Sequence, residues 1–191
     1  MIDIRTIPAD EPVKLIIGAG SQMYPGWIPT QKEDLNLLNR QDWVESFSQR
    51  KVDMFLCEHV WEHLTLEEAK SAAALCYEFL KPGGSLRVAV PDANFPDADY
   101  QRMVHADVPP GHPAEDHKTA YTYHNFVDVF SEAGFEVDLL EYCDDEGRFH
   151  YNQWDIERGL IYRSLMFDHR NRDGSLGFVS LIVDAIKPSD N

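Results

Sequence analysis

Three short apolar runs constrain this chain more than anything else in it. Val13-Lys14-Leu15-Ile16-Ile17 stops at Gly18, Val52-Asp53-Met54-Phe55-Leu56-Cys57 runs into Glu58, and Leu86-Arg87-Val88-Ala89-Val90 stops at Pro91-Asp92. Runs of this length, bounded by turn residues, read as buried strands. A helix lies between the second and the third. Thr65-Leu66-Glu67-Glu68 has capping-box spacing, in which Thr65 accepts from the backbone of residue 68 and Glu68 reaches back. Leu66, Ala69, Ala73, Cys76, Tyr77 and Leu80 then form one apolar face, and Lys81-Pro82-Gly83-Gly84 ends the helix. Strand–helix–strand alternation predicts an α/β fold on a parallel, doubly wound sheet. Tyr123 to Ala133 reads as another helix, ended by Gly134, and Glu136 to Glu141 and Gly177 to Ile186 read as closing strands. With no helix of normal length between them, those two are expected to pair antiparallel at one edge.

The chain has 191 residues, 43% of them hydrophobic, which is enough for one domain with a real core spanning 1–191. Its formal net charge is −16. Nucleic-acid binding needs a basic stripe to neutralise phosphates, and an anionic membrane surface needs the same, so neither partner is expected. No stretch approaches the roughly 18 apolar residues of a membrane span. Met1-Ile2-Asp3-Ile4-Arg5-Thr6 has no basic region followed by an apolar run, so no signal peptide is read and the cytoplasm is the expected compartment. Cys57, Cys76 and Cys143 are widely spaced and odd in number, which supports neither a disulfide framework nor a zinc ribbon.

Two segments carry candidate chemistry at strand ends, where ligands sit in parallel sheets. Gly18-Ala19-Gly20 follows the first strand, and small residues there let a ligand approach the backbone. No third glycine follows at dinucleotide-binding spacing, and Pro25-Gly26 forbids a helix that starts promptly and runs on. Glu58-His59-Val60-Trp61-Glu62-His63-Leu64 follows the second strand. On a helix, His59 and His63 would share a face and could meet a metal. Glu62 is misplaced for the His-Glu-x-x-His pattern, so no metal ligands are assigned.

Two further segments are long and polar. Residues 93–119, with several Pro and His, exceed a routine connection and read as a functional insertion or lid. Residues 144–175 mix aromatic and charged side chains and read as a substrate wall. Arg163 and Arg170 there suit a carboxylate or phosphate.

Taken together, Leu15-Ile16-Ile17-Gly18-Ala19-Gly20, Tyr24-Pro25-Gly26-Trp27, Glu58-His59-Val60-Trp61-Glu62-His63-Leu64 and Leu80-Lys81-Pro82-Gly83-Gly84 through Val90-Pro91-Asp92 resemble the class I S-adenosylmethionine-dependent methyltransferases, in particular a small bacterial branch (type 11-like). The resemblance runs from about residue 13 to 187. It implies a Rossmann-like, doubly wound seven-stranded sheet, mostly parallel with an antiparallel last strand. It implies S-adenosylmethionine as cofactor, with Gly18, Ala19 and Gly20 against its methionine part and Glu58 and His59 beside the sulfonium. The family usually holds the ribose with an acidic residue after the second strand, and the equivalent position here is Gln31 or Glu33.

The implied reaction is methyl transfer to a small-molecule acceptor. The methyl on a sulfonium is already activated, so the protein's share is positioning plus, for some acceptors, a general base. Candidate bases are His59, His105, His112, His117 and His124, with His59, His112 and His117 preferred, Asp92 and Asp116 as orienting carboxylates, and Asp92, Tyr123, Trp154 and Arg163 on the substrate side. Little chain precedes Val13 to cover the cofactor, so the insertion supplies the cover or a second copy does, which leaves a homodimer open. The alternatives are a non-catalytic module that keeps the fold for binding or regulation, and a histidine-based metal enzyme.

Overall fold

A computed structural model describes residue 4 and residues 7–47, 50–106 and 108–190. The strands are β1 (Lys14–Ile17), β2 (Ile28–Pro29), β3 (Val52–Glu58), β4 (Leu80–Pro91), β5 (Glu136–Cys143), β6 (Phe149–Tyr151) and β7 (Ser180–Ile186). They form one seven-stranded sheet in the order β2-β1-β3-β4-β7-β5-β6. β2, β1, β3 and β4 pair parallel, whereas β7 is antiparallel to both β4 and β5, and β6 is antiparallel to β5. The expected antiparallel pair is therefore present as β5 and β7. It is not an edge pair: β7 is inserted between β4 and β5, and the three-residue β6 forms the edge.

The helices are α1 (Arg40–Phe47), α2 (Leu66–Phe79), α3 (Ala98–Val104) and α4 (Tyr123–Ser131). α2 opens with the capping box read from the sequence, Glu68 N–H donating to Thr65 Oγ1 at 3.3 Å and Thr65 N–H donating to Glu68 Oε2 at 2.8 Å. No helix joins β1 to β2, in keeping with Pro25-Gly26.

Strand alternation sorts the core into two sides. Leu15, Ile17, Phe55, Cys57, Val88 and Val183 belong to one cluster with Trp43 and Phe47 of α1, Ala73 and Phe79 of α2, and Phe126 and Phe130 of α4. Ile16, Leu56, Ala89 and Ile182 point the other way and meet Trp154 and Ile161 from irregular chain. A doubly wound sheet ordinarily carries helices on both faces. Here α1, α2 and α4 share one side, and residues between β6 and β7 cover much of the other.

That coil-covered face holds a buried ion pair. Arg87 Nε and Nη2 each donate to Asp184 at 2.7 Å, and Nη1 donates to the carbonyls of Asp155 (2.7 Å) and Gly159 (2.6 Å). The guanidinium also lies 4.7 Å from the Trp154 ring centroid. One side chain in the centre of the sheet thus anchors the coil that runs on to Tyr162 and Arg163.

Candidate active site

The loop after β1 depends on glycine. Gly18 and Gly20 have φ of 61° and 55°, a region that costs other residues energy. A Cβ on Gly18 would sit 2.5 Å from Val60 Cγ2, so only glycine lets the loop lie against the segment following β3. A Cβ on Gly20 would meet nothing within 4 Å, so that side of the loop is uncrowded and it is the backbone angle that favours glycine. Gln31 braces the loop: its Nε2 donates to Gly20 O at 2.9 Å, and Gly20 N–H donates to its Oε1 at 3.3 Å. Its amide is therefore engaged by the loop itself, contrary to the expectation that it holds a ribose. Glu33 is solvent-exposed.

Glu58 ends β3 with its side chain only 2% exposed. Its Oε2 accepts from Gln22 Nε2 at 2.7 Å and from Tyr162 N–H at 2.9 Å, and its Oε1 from Arg163 N–H at 3.0 Å. One carboxylate thus gathers the glycine loop and residues 162–163 around a cleft of about 330 Å³ lined by Gly18–Gln22, Glu58, His59, Tyr162 and Arg163. A second cleft, of about 410 Å³, opens on the other side of Gly18, against Lys32, Asn36, Val60, His63 and Asp116. Both volumes fall within the range of small-molecule sites. Gln22 carries no signal in the sequence, whereas Tyr162 lies in the 144–175 segment read as a substrate wall; each reaches Glu58 from far along the chain.

His59 lines the cleft beside Glu58, whereas His112 and His117 lie away from both clefts. Residues 61–63 form a 3-10 turn, and His59 precedes it at φ 56°, so His59 and His63 do not share a helix face. Both ring nitrogens of His59 are engaged: Nδ1 lies 3.1 Å from Glu62 Oε1, and Nε2 lies 3.0 Å from Ser180 Oγ. His117 Nδ1 faces the Val104 carbonyl at 2.8 Å, and its ring packs edge-on against His63. His112 Nδ1 accepts from Ala114 N–H at 3.1 Å and lines a separate depression with His105 and Gln101. Neither His112 nor His117 lines the two clefts at Gly18.

On the substrate side, Arg163 alone lines the 330 Å³ cleft. Trp154 is buried, with Nε1 donating to Glu141 Oε1 at 3.0 Å, so its indole serves the core and not a substrate wall. The Tyr123 hydroxyl donates to Asp145 Oδ2 at 3.4 Å, and its ring packs at a tilt against His124 and Tyr142. Arg170 is held by Asp168, with its Nε donating to Oδ1 at 2.8 Å.

Asp92 is fully buried. Its Oδ1 accepts from Asn94 N–H at 2.9 Å and its Oδ2 from Cys143 N–H at 2.7 Å, which ties the end of β4 to the end of β5. Burial pushes its pKa up to about 6, against two backbone donors that favour the anion. The folded chain therefore binds this proton more tightly than the unfolded chain, whose value is about 3.9. The stabilisation is full below about pH 4 and is lost as pH rises through 6, a change on the order of 3 kcal/mol. Chemical denaturation of the wild type and of Asp92→Asn, which cannot titrate, checks this: their stability difference should shift against the wild type by that amount between about pH 4 and about pH 7. A difference that stays constant refutes it.

No protein-family model matches the chain, and neither does any curated protein sequence. Solved structures do match. A SAM-dependent methyltransferase from Archaeoglobus fulgidus aligns over 96% of this chain and 90% of its own, with a TM-score of 0.52 and 15% identity. An O-methyltransferase family protein from Burkholderia thailandensis aligns over 96% of this chain with a TM-score of 0.54 and 13% identity, and the CurJ carbon methyltransferase over 97% with 0.53 and 14%. The chain spans about half the length of those last two, 53% and 51%. At such identities the likeness establishes architecture. The chain has the class I S-adenosylmethionine-dependent methyltransferase fold, an α/β, Rossmann-like, mostly parallel seven-stranded sheet whose last strand is antiparallel.

Proposed function

We propose that this chain transfers the methyl group of S-adenosylmethionine to a small-molecule acceptor. The observation that carries the reading is the pair of clefts meeting at Gly18, with the small residues of the glycine loop on one wall and the Glu58 carboxylate on the other. The residues suit the cofactor there. Gly18, Ala19 and Gly20, which carry little or no side chain, would let the methionine part lie close against the loop, and Glu58 would face its cationic end. Asn36 and Lys32 line the second cleft, where polar groups for the ribose are needed once Gln31 is engaged by Gly20. When bound, the cofactor supplies an activated methyl group. The chain's own task is to orient the acceptor, with Tyr162 and Arg163 forming the wall of the cleft, and to exclude water. A net charge of −16 favours small or cationic acceptors over nucleic acid.

Calorimetry with S-adenosylmethionine and S-adenosylhomocysteine tests this. Binding of one equivalent of each is expected, followed by methyl transfer within a panel of small metabolites. Absence of binding at millimolar ligand overturns both catalysis and cofactor sensing. Binding without any turnover favours a regulatory module, a reading for which the engagement of Gln31 by Gly20 is the relevant observation.

A further inference from the structure

The turn after β3 and the insertion of residues 93–119 meet at a polar cluster that methyl transfer does not require. Lys118 N–H donates to Glu62 O at 2.7 Å, and Thr119 Oγ1 donates to Leu64 O at 2.7 Å, which fixes the insertion against this turn. There, one ligand-type atom from each of Glu62, His63 and His117 lies within 4.8 Å of the other two. We propose that these three residues bind one divalent transition-metal ion, with Zn²⁺ the best match to the donor set.

Glu62 supplies the first argument. The residue is 1% exposed, yet its Oε2 has no hydrogen-bond partner among the described residues. Its Oε1 is held by His59 Nδ1 at 3.1 Å. Ser180 Oγ, 3.0 Å from the other nitrogen of that ring, can donate to it, so His59 can serve Glu62 as a neutral N–H donor. Among the described residues Glu62 has no lysine or arginine partner, and a buried carboxylate oxygen with neither donor nor cation calls for one.

The imidazoles supply the second. His63 Nδ1 lies 3.2 Å from Asp116 Oδ2, and His117 Nδ1 lies 2.8 Å from the Val104 carbonyl. An oxygen at Nδ1 places the proton there and leaves Nε2 with its lone pair, which is how metal-binding imidazoles are prepared. Two nitrogens and one carboxylate form a set that Zn²⁺ shares with Co²⁺ and Fe²⁺. Metal–ligand bonds of about 2.1 Å put tetrahedral ligand atoms about 3.4 Å apart. The cluster must therefore contract, and the His63 side chain, 36% exposed, has room to turn. His63 and Asp116 also line the 410 Å³ cleft, so a fourth ligand has access from that side.

His63 and Asp116 border the cleft proposed for the ribose, but metal uptake is read directly, so the test needs no methyl transfer. The full chain, treated with chelator and desalted, is titrated with Co²⁺ and then Zn²⁺. Uptake of one equivalent of Co²⁺ with a visible d–d band, displaced by one equivalent of Zn²⁺, is expected. His117→Ala and His63→Gln should each weaken binding by at least about 100-fold, and Asp116→Asn, which only orients His63, by about 10-fold. Circular dichroism establishes that each variant folds, and His63→Gln, at a partly exposed residue, serves if a more buried substitution does not. No stoichiometric uptake, or wild-type affinity in folded His117→Ala and His63→Gln, overturns the proposal. Binding that follows this pattern in a protein that ignores S-adenosylmethionine leaves it standing.

Discussion

Asp184→Ala is expected to destabilise the fold by about 3–5 kcal/mol, because it leaves the Arg87 guanidinium buried without its counter-charge. The Arg87 side chain is 1% exposed and that of Asp184 6%, so water cannot replace the lost carboxylate. For a chain of this size the midpoint of thermal unfolding should fall by roughly 6–20 °C. The double substitution Arg87→Met, Asp184→Leu should recover most of that loss, since two apolar side chains of similar volume pack where the ion pair was. Recovery should fall short of complete, because Asp155 O and Gly159 O lose the donor that anchors their coil. Denaturant or thermal melts of Arg87→Met, Asp184→Leu and the double variant form a cycle that isolates the pair. A single variant within about 1 kcal/mol of wild type would mean the pair is hydrated in solution, and the account of this face would be wrong.

How far the sequence reaches can be judged from the same residues. α2 is legible because its signals are local: Thr65 and Glu68 satisfy each other, and Ala69, Ala73 and Cys76 recur on one face. The absence of a helix between β1 and β2 is legible in Pro25-Gly26 for the same reason. The place of β7 is not, because insertion between β4 and β5 is a choice among non-local pairings that Leu181, Ile182 and Val183 would satisfy elsewhere too. Nothing in their own strands marks Arg87 and Asp184 as partners; their pairing follows from a face that receives coil in place of a helix. Gly18, Ala19, Gly20 and Glu58 of the strand-end motifs line one cleft, and Arg163 of the aromatic segment lines it with them. His59 lines the same cleft, but His63 does not share a face with it, because i, i+4 reasoning assumes an α-helix where the chain makes a 3-10 turn. Glu62, misplaced for a zinc-protease helix, lies beside His63 and His117 in that turn.

Glu58→Gln is expected to weaken S-adenosylmethionine binding by about 10- to 100-fold while leaving the chain folded. The carboxylate receives three hydrogen bonds, from Gln22 Nε2, Tyr162 N–H and Arg163 N–H. A glutamine offers one oxygen in place of two. If that oxygen keeps Arg163 N–H, the new amide NH₂ faces Gln22 Nε2 and Tyr162 N–H, donor against donor. If the amide turns over, Arg163 N–H loses its acceptor instead. Either way residues 162–163 or the glycine loop move off the 330 Å³ cleft, and the negative charge proposed to meet the cofactor's cationic end is gone. The loss is charge-assisted, and each such bond is worth about 1.5–3 kcal/mol, so a fall smaller than tenfold is not expected. Glu33→Gln serves as the contrast, since Glu33 is exposed and outside both clefts, and its affinity should match wild type. Calorimetric titration of the three proteins decides it. Equal affinity in Glu58→Gln and wild type would remove Glu58 from the site, whereas a selective loss in Glu33→Gln would return the ribose to the exposed carboxylate.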